Sequence, residues 1–239
     1  RIVRDLPDES LNYHAVNNHF SRWFRARTEF DVADKLRFVD ASDGWSVENR
    51  TVLRLSYDGG GDVETVWTFA SWESADGLKF RFYARYEQDG AQLERLEGRA
   101  SLDGPGGGGT AQFSEPDGRT TALPQGTVFP TEHLRLLIMA AVRGDRRLSR
   151  VVFDGASIDN PYLVTAVMGP LANAGAEALA GKTNLPALPA WWTQMAFFPY
   201  QHQDTNPEFE IGAQYRADGI ADRIVQRFDT FALDVRLSE

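Results

Sequence analysis

Eight Asp-Gly dipeptides punctuate this 239-residue chain, and they constrain its fold more than any other feature. They stand at Asp43-Gly44, Asp58-Gly59, Asp76-Gly77, Asp89-Gly90, Asp103-Gly104, Asp117-Gly118, Asp154-Gly155 and Asp218-Gly219. Asp tolerates the left-handed turn conformation and Gly adopts it at little steric cost, so Asp-Gly predicts two-residue type I′ hairpins. From Asp58 to Asp117 the spacing is one strand plus one turn. That is the rhythm of a meander, in which each strand pairs with the one before it.

The segments between the turns alternate as half-buried antiparallel strands do. Phe80, Phe82, Ala84 and Tyr86 share one face against Lys79, Arg81, Tyr83 and Arg85 on the other. Val63 to Ala70, Glu208 to Tyr215 and Phe231 to Ser238 behave alike. Further strands are expected near 11–20, 22–32, 46–57, 91–102, 109–114, 148–154, 162–168, 190–199 and 220–228. Two helices interrupt them. Thr131 to Arg143 places Leu134, Leu137, Ile138 and Ala141 on one face, with Thr131 as the expected N-cap and Gly144 as the stop. Pro170 to Ala180 is a weaker, Ala-rich helix ending at Gly181. The run Gly104 to Gly109 reads as a loose hairpin loop between two strands, not as a domain boundary. The expected architecture is therefore mostly β. It is a twisted antiparallel β-spiral or open barrel-like meander with two short helices, in one domain over 1–239. An N-terminal meander covers about 11–123, a helix about 131–143 and a C-terminal meander about 148–237.

Composition narrows the function classes. Hydrophobic residues make up 42%, enough for a sizeable core, and aromatics make up 12%, which suits a pleated surface. A net charge of −9 argues against nucleic acid as a main partner. There is no cysteine, so thiolate metal sites, iron–sulfur clusters and Cys nucleophiles are excluded. No run approaches the roughly 20 apolar residues of a membrane helix. The chain begins at Arg1, and we expect a signal peptide already removed.

No constellation of reactive residues emerges. The histidines are His14, His19, His133 and His202. His14 and His19, five apart on a strand, point to opposite faces and do not share a metal. No metal or cofactor is expected. Ser71, Ser74, Ser101 and Ser157 lie in no nucleophile elbow, and the glycine run lacks the Lys-Ser/Thr of a phosphate loop. Carboxylates are abundant, but no pair is singled out. The tryptophans are core anchors or the floor of a binding face. Trp67 and Trp72 face opposite ways on a regular strand, and so do Trp191 and Trp192. The candidate binding residues are Trp72, His133, Trp191 and Trp192; none is expected to be catalytic.

Several short motifs occur in a fixed order: Asp43-Gly44-Trp45; Ser74-Ala75-Asp76-Gly77 followed by Phe80-Arg81-Phe82; Leu93 to Gly98-Arg99-Ala100; Leu123-Pro124-x-Gly126-Thr127-x-Phe129-Pro130-Thr131-x-His133; Val152-Phe153-Asp154-Gly155; and Phe228-Asp229-x-Phe231. Together they resemble the EipB envelope-integrity family, periplasmic proteins of Gram-negative bacteria, over about residues 14–237. The resemblance implies a spiral-like antiparallel sheet with flanking helices, export to the periplasm and a role in maintaining the cell envelope. It supplies no catalytic residues. It marks Trp45, Gly77, Gly126, Phe129, Pro130, Thr131, Asp154, Gly155 and Phe231 as signature positions with structural roles. Many members carry a Cys before the Gly-Trp pair, bridged to another near the C-terminus; here Ser42 stands at that position.

Three readings of its function follow. The first is a non-enzymatic periplasmic protein binding an envelope protein, lipoprotein, lipid or peptidoglycan-linked partner. The second is a hydrolase acting on glycans or lipids, with a purely structural protein–protein scaffold as a third reading.

Overall fold

Sixteen strands and one helix make up the described part of the chain, seen in a computed structural model. It describes residues 13–20, 26–33, 39–41, 44–57, 62–116, 118–156, 161–171, 191–201, 206–215, 221–227 and 231–237; for the strands before residue 62 and after 227 it describes the backbone. In chain order the strands are β1 (Tyr13–Phe20), β2 (Ala26–Ala33), β3 (Val39–Ala41), β4 (Gly44–Tyr57), β5 (Asp62–Ser74), β6 (Lys79–Gln88), β7 (Ala91–Leu102), β8 (Gly109–Glu115), β9 (Thr120–Leu123) and β10 (Thr127–Val128). Helix α1 (Pro130–Arg143) follows. Then come β11 (Arg147–Val152), β12 (Tyr162–Pro170), β13 (Trp191–Pro199), β14 (Phe209–Tyr215), β15 (Ala221–Arg227) and β16 (Phe231–Leu237).

All sixteen belong to one sheet, and its order is the chain order cut open at an unexpected place. The path runs from β10 through β11 to β16, crosses to β1, and continues through β2 and β4 to β9, with β3 beside β4. The meander expected from the Asp-Gly rhythm is thus present on both sides of the helix. Joining the halves is the antiparallel pair of β1 with β16. The two ends of the path, β9 and β10, are consecutive in the chain. Only residues 124–126 separate them, so Leu123 and Thr127 lie within about 14 Å of each other. The sheet must therefore curl almost back on itself, as an open barrel-like spiral. Its described pairs are antiparallel except β10 with β11.

Two packed clusters fill the curl. One holds Phe80, Phe82, Ala100, Ala111, Phe113 and Leu123 from β6–β9, joined by Phe129 and Phe153 from across the seam. The other lays Leu137, Ile138 and Ala140 of α1 on Val164, Met168, Trp191, Phe197, Tyr215 and their neighbours in β11–β14. Phe129 stacks on Phe80 with centroids 4.8 Å apart, while Phe153 meets Phe82 edge-on at 5.5 Å. Aromatic side chains thus tie the C-terminal half to the N-terminal one.

Several expectations shift. The strands β3, β9 and β10 are too short to leave an alternating pattern. Among the described Asp-Gly pairs, Asp89-Gly90 has both residues at positive φ (49° and 79°), the form a type I′ hairpin requires. Asp154-Gly155 forms no two-residue turn; it lies near the start of the longer loop that joins the antiparallel pair β11 and β12. Residues 103–108 do link β7 to β8 as a loop, and Gly109 already belongs to β8. Pro170, read as a helix start, instead ends β12, paired with Trp191. Residues 172–180, the rest of that expected helix, lie outside the described residues. So do Asp58-Gly59, Asp117, Ser157, His202 and Asp218-Gly219, as do the side chains of His14, His19, Trp45 and Phe231.

Candidate functional site

The signature run Leu123 to His133 forms the seam where the curled sheet fails to close. β9 ends at Leu123, and Gly126 turns the chain at φ 80°. Thr127, 1% exposed, donates its Oγ1 hydrogen to the Pro124 carbonyl at 2.7 Å. Thr127→Val keeps the shape and removes that bond. Chemical denaturation should show a loss of about 1 kcal/mol, the usual worth of one buried hydrogen bond.

Phe129, not Thr131, occupies the N-cap position, and no side chain of its own helix caps α1. Pro130 already has helical geometry at the first position, where its missing N–H costs nothing. The cap comes from 58 residues away. Glu73, near the end of β5, accepts from the Thr131 N–H at 2.8 Å through Oε2 and from the Glu132 N–H at 3.0 Å through Oε1. A carboxylate with one oxygen on each of two first-turn N–H groups is well placed against the helix dipole. Yet Glu73 is 2% exposed, and burial pushes its pKa up to about 7 despite those two donors.

His133, one turn in, is also buried, and its Nε2 has no hydrogen-bond partner among the described residues. Burial, followed by the nearby Arg150 charge, pushes its pKa down to about 4. It is therefore a neutral core residue at neutral pH. Of the four candidate binding residues, His133 and Trp191 are thus interior. Trp191 is 2% exposed and stacks on Tyr215 with centroids 4.2 Å apart. Trp192, on the opposite face of β13, is half-buried beside Gly169. Trp72 is half-buried on the outer face of β5, with the Arg81 guanidinium 5.6 Å from its ring centroid. These four side chains do not converge on one site.

Gly77 and Asp154, two further signature positions, also serve structure. Gly77 sits at φ 71° in the β5–β6 turn, where Asp76 Oδ1 accepts from the Leu78 N–H and the Ser74 hydroxyl. Asp154 Oδ1 accepts from the Ala156 N–H at 2.9 Å, and the Ala156 carbonyl takes the Tyr86 hydroxyl proton at 2.7 Å. This pins the loop after β11 across the inner face of β6.

An open concavity among the described residues lies elsewhere, on the outer face of β6–β9. It is a groove of about 590 Å³ lined by Arg81, Glu97, Arg99, Gln112, Ser114 and Arg119, among others. Among the described residues no group of three His, Asp or Glu side chains could hold a metal ion. Among the described residues the groove is lined by one carboxylate, Glu97, and by no histidine. Sequence reading singled out neither this groove nor Glu73. The arginines stood on the polar face of predicted strands, where charge is ordinary. A bulge at Tyr86–Glu87 sets the register that places them opposite one another.

Residues 35–239 match the EipB-like family model. The chain belongs to the EipB-like family. A curated relative is the cell envelope integrity protein EipB of Brucella abortus (strain 2308), 25% identical over 199 residues, covering 82% of this chain and 70% of that protein. The same fold occurs in the crystal structure of a beta-barrel-like protein of a domain of unknown function from Brucella abortus. Its TM-score is 0.70 at 20% identity, with 98% of each chain covered. The family resemblance read from the ordered motifs is therefore correct, and so is the mostly β, barrel-like class. In this EipB-like chain the run from Leu123 to His133 builds the seam of the sheet. No helix among the described residues is long and apolar enough to cross a membrane.

Proposed function

We propose that this EipB-like chain is a periplasmic protein that supports envelope integrity by binding an envelope component rather than by converting one. The relation to a cell envelope integrity protein carries the role. What favours binding over catalysis is where the perturbed groups sit. Catalytic acids and bases combine a shifted pKa with access to a cleft. Among the described residues Glu73 and His133 are a carboxyl and an imidazole with strongly shifted values, but both are buried in the seam, and Glu73 has an oxygen on each of two backbone N–H groups. The accessible groove instead presents arginines, which hold ligands and seldom move protons.

Two measurements test the reading. Deleting the gene should sensitise the host to detergent, and the exported chain should restore resistance where a cytosolic version does not. Incubating pure protein with peptidoglycan or phospholipid should leave both unchanged by mass spectrometry. A deletion strain as resistant as its parent would remove the envelope role, and turnover of either substrate would replace binding with hydrolysis.

A further inference from the structure

The geometry points to a glycan-binding platform on the outer face of β12–β14, built from Trp192 with Gln194, Gln214 and Arg146 and separate from the arginine groove. It rests on the binding reading above and names a chemical class for the bound component. Trp191, Thr193, Met195 and Phe197 of β13 are buried, so Trp192, Gln194, Ala196 and Phe198 face outward. On β12 their outward neighbours run alternately from Leu163 to Gly169. None of these outward positions is charged. The outer face of β6 and β7, by contrast, carries Lys79, Arg81, Arg85, Arg95, Glu97 and Arg99. Charged residues are 25% of the chain and are expected on solvated faces, so β12 and β13 depart from that rule.

Polar groups are present there as an indole and neutral amides. Trp192 lies directly opposite Gly169, and Gln194 directly opposite Gly212. A methyl group on Gly169 would stand 3.1 Å from the Trp192 Nε1, 3.3 Å from its Cε2 and 3.0 Å from Arg146 Nη1. The indole therefore leans over the glycine, and the Arg146 guanidinium reaches the same spot. A methyl on Gly212 would stand 2.9 Å from Gln194 Oε1, so this amide lies over the second glycine. Glycines at both positions let a ring and an amide lie low on the sheet. Gln214, opposite Trp192 on β14, adds a second amide. Among the described residues no hydrogen bond takes up the Trp192 N–H, either amide or the Arg146 guanidinium.

These groups select the ligand. Each amide offers N–H donors and an acceptor oxygen, which matches a hydroxyl that both donates and accepts. An anion could use the donors but would face the amide oxygens with nothing to give them. A half-buried indole lying low on the sheet presents an apolar surface with a polar N–H at its rim. That suits the C–H face of a pyranose ring with hydroxyls around its edge. A neutral sugar chain uses the ring, both amides and the arginine together.

The test titrates two neutral tetrasaccharides into the protein by calorimetry, one of β-linked N-acetylglucosamine and one of α-linked glucose. At least one should bind the wild type. Trp192→Ala should weaken that binding at least about tenfold, as truncating an aromatic anchor does. Gln194→Ala leaves the ring in place and should weaken it about three- to tenfold, the worth of one neutral hydrogen bond. Trp72→Ala is the control. It removes another half-buried outward tryptophan, from the other half of the sheet, and should leave binding within about twofold. Circular dichroism checks the fold of each variant, and Gln194→Ala carries the test if Trp192→Ala does not fold. If the wild type binds neither sugar, if Trp72→Ala weakens binding as much as Trp192→Ala, or if Gln194→Ala binds like the wild type, the inference fails. The detergent-resistance and turnover experiments use neither sugar, so the envelope-binding reading can stand when this one falls.

Discussion

Replacing Gly155 with alanine is expected to destabilise the protein by about 2–5 kcal/mol. Gly155 adopts φ 69°, where an L-residue pays about 1–2 kcal/mol. The added methyl would also stand 2.3 Å from Cγ and 2.8 Å from Cβ of Phe82. These are the root of the side chain, not a flexible tip. Phe82 is 3% exposed and held edge-on by Phe113 and Phe153, so it has nowhere to retreat. Overpacking of this kind adds roughly 1–3 kcal/mol. For a chain of this size Tm should fall by about 10 °C, followed by calorimetry. Phe82→Ala is destabilising by itself, but it removes the ring that meets the methyl. The double variant should therefore lose at least about 1 kcal/mol less than the sum of the singles. Strict additivity would show that the loop after β11 does not press on β6 as described.

Glu73→Ala should cost about 3 kcal/mol, since it leaves the Thr131 and Glu132 N–H groups without their acceptor in the seam. Glu73→Gln should cost less, because one amide oxygen still accepts. The two variants also separate a pH effect. Burial raises the folded pKa of Glu73 from 4.5 to about 7, so the folded protein holds this proton more tightly than the unfolded chain. Its contribution is complete below about pH 4.5 and is lost as pH rises toward 7. His133 has the opposite sign. Its folded pKa is lowered from 6.5 to about 4, so its contribution is present above pH 6.5 and is lost as pH falls toward 4. Urea denaturation across pH 4.5–7 should show the advantage of wild type over Glu73→Gln shrinking as pH rises. A constant gap would mean that Glu73 titrates in the folded protein as it does in the unfolded chain.

How much of this was legible follows from the range of the interactions. Strand alternation and Asp-Gly turns are local, so most strands and the 131–143 helix could be placed within a few residues. The helix cap was misread because Thr131 is a good capping residue by type, while the actual acceptor arrives from β5. Trp191 and His133 looked like binding residues because Trp and His often are. Their burial depends on sheet curvature that no short window encodes. The arginine groove was hidden by a single bulge. Without the register shift at Tyr86–Glu87, Arg81 would face Gly98, and no opposed pair would exist. The resemblance, carried by ordered motifs along the whole chain, was less exposed to such local accidents.

The pairing of β1 with β16 has a consequence for how the chain is made. Synthesis proceeds from Tyr13 toward Leu237, so the strand that emerges first meets its long-term neighbour only when the last one appears. Every other junction on the path joins strands close in sequence and can zip as it emerges. The two halves can therefore mature as hairpin ladders, while β1 keeps one edge unpaired until β16 is available. A version opened between Leu123 and Thr127, with its original termini linked, would remove that wait. It would carry the sheet in unbroken order from one edge to the other. Comparing its refolding rate with that of the natural connectivity would measure how much of the folding time is spent on this one long-range closure.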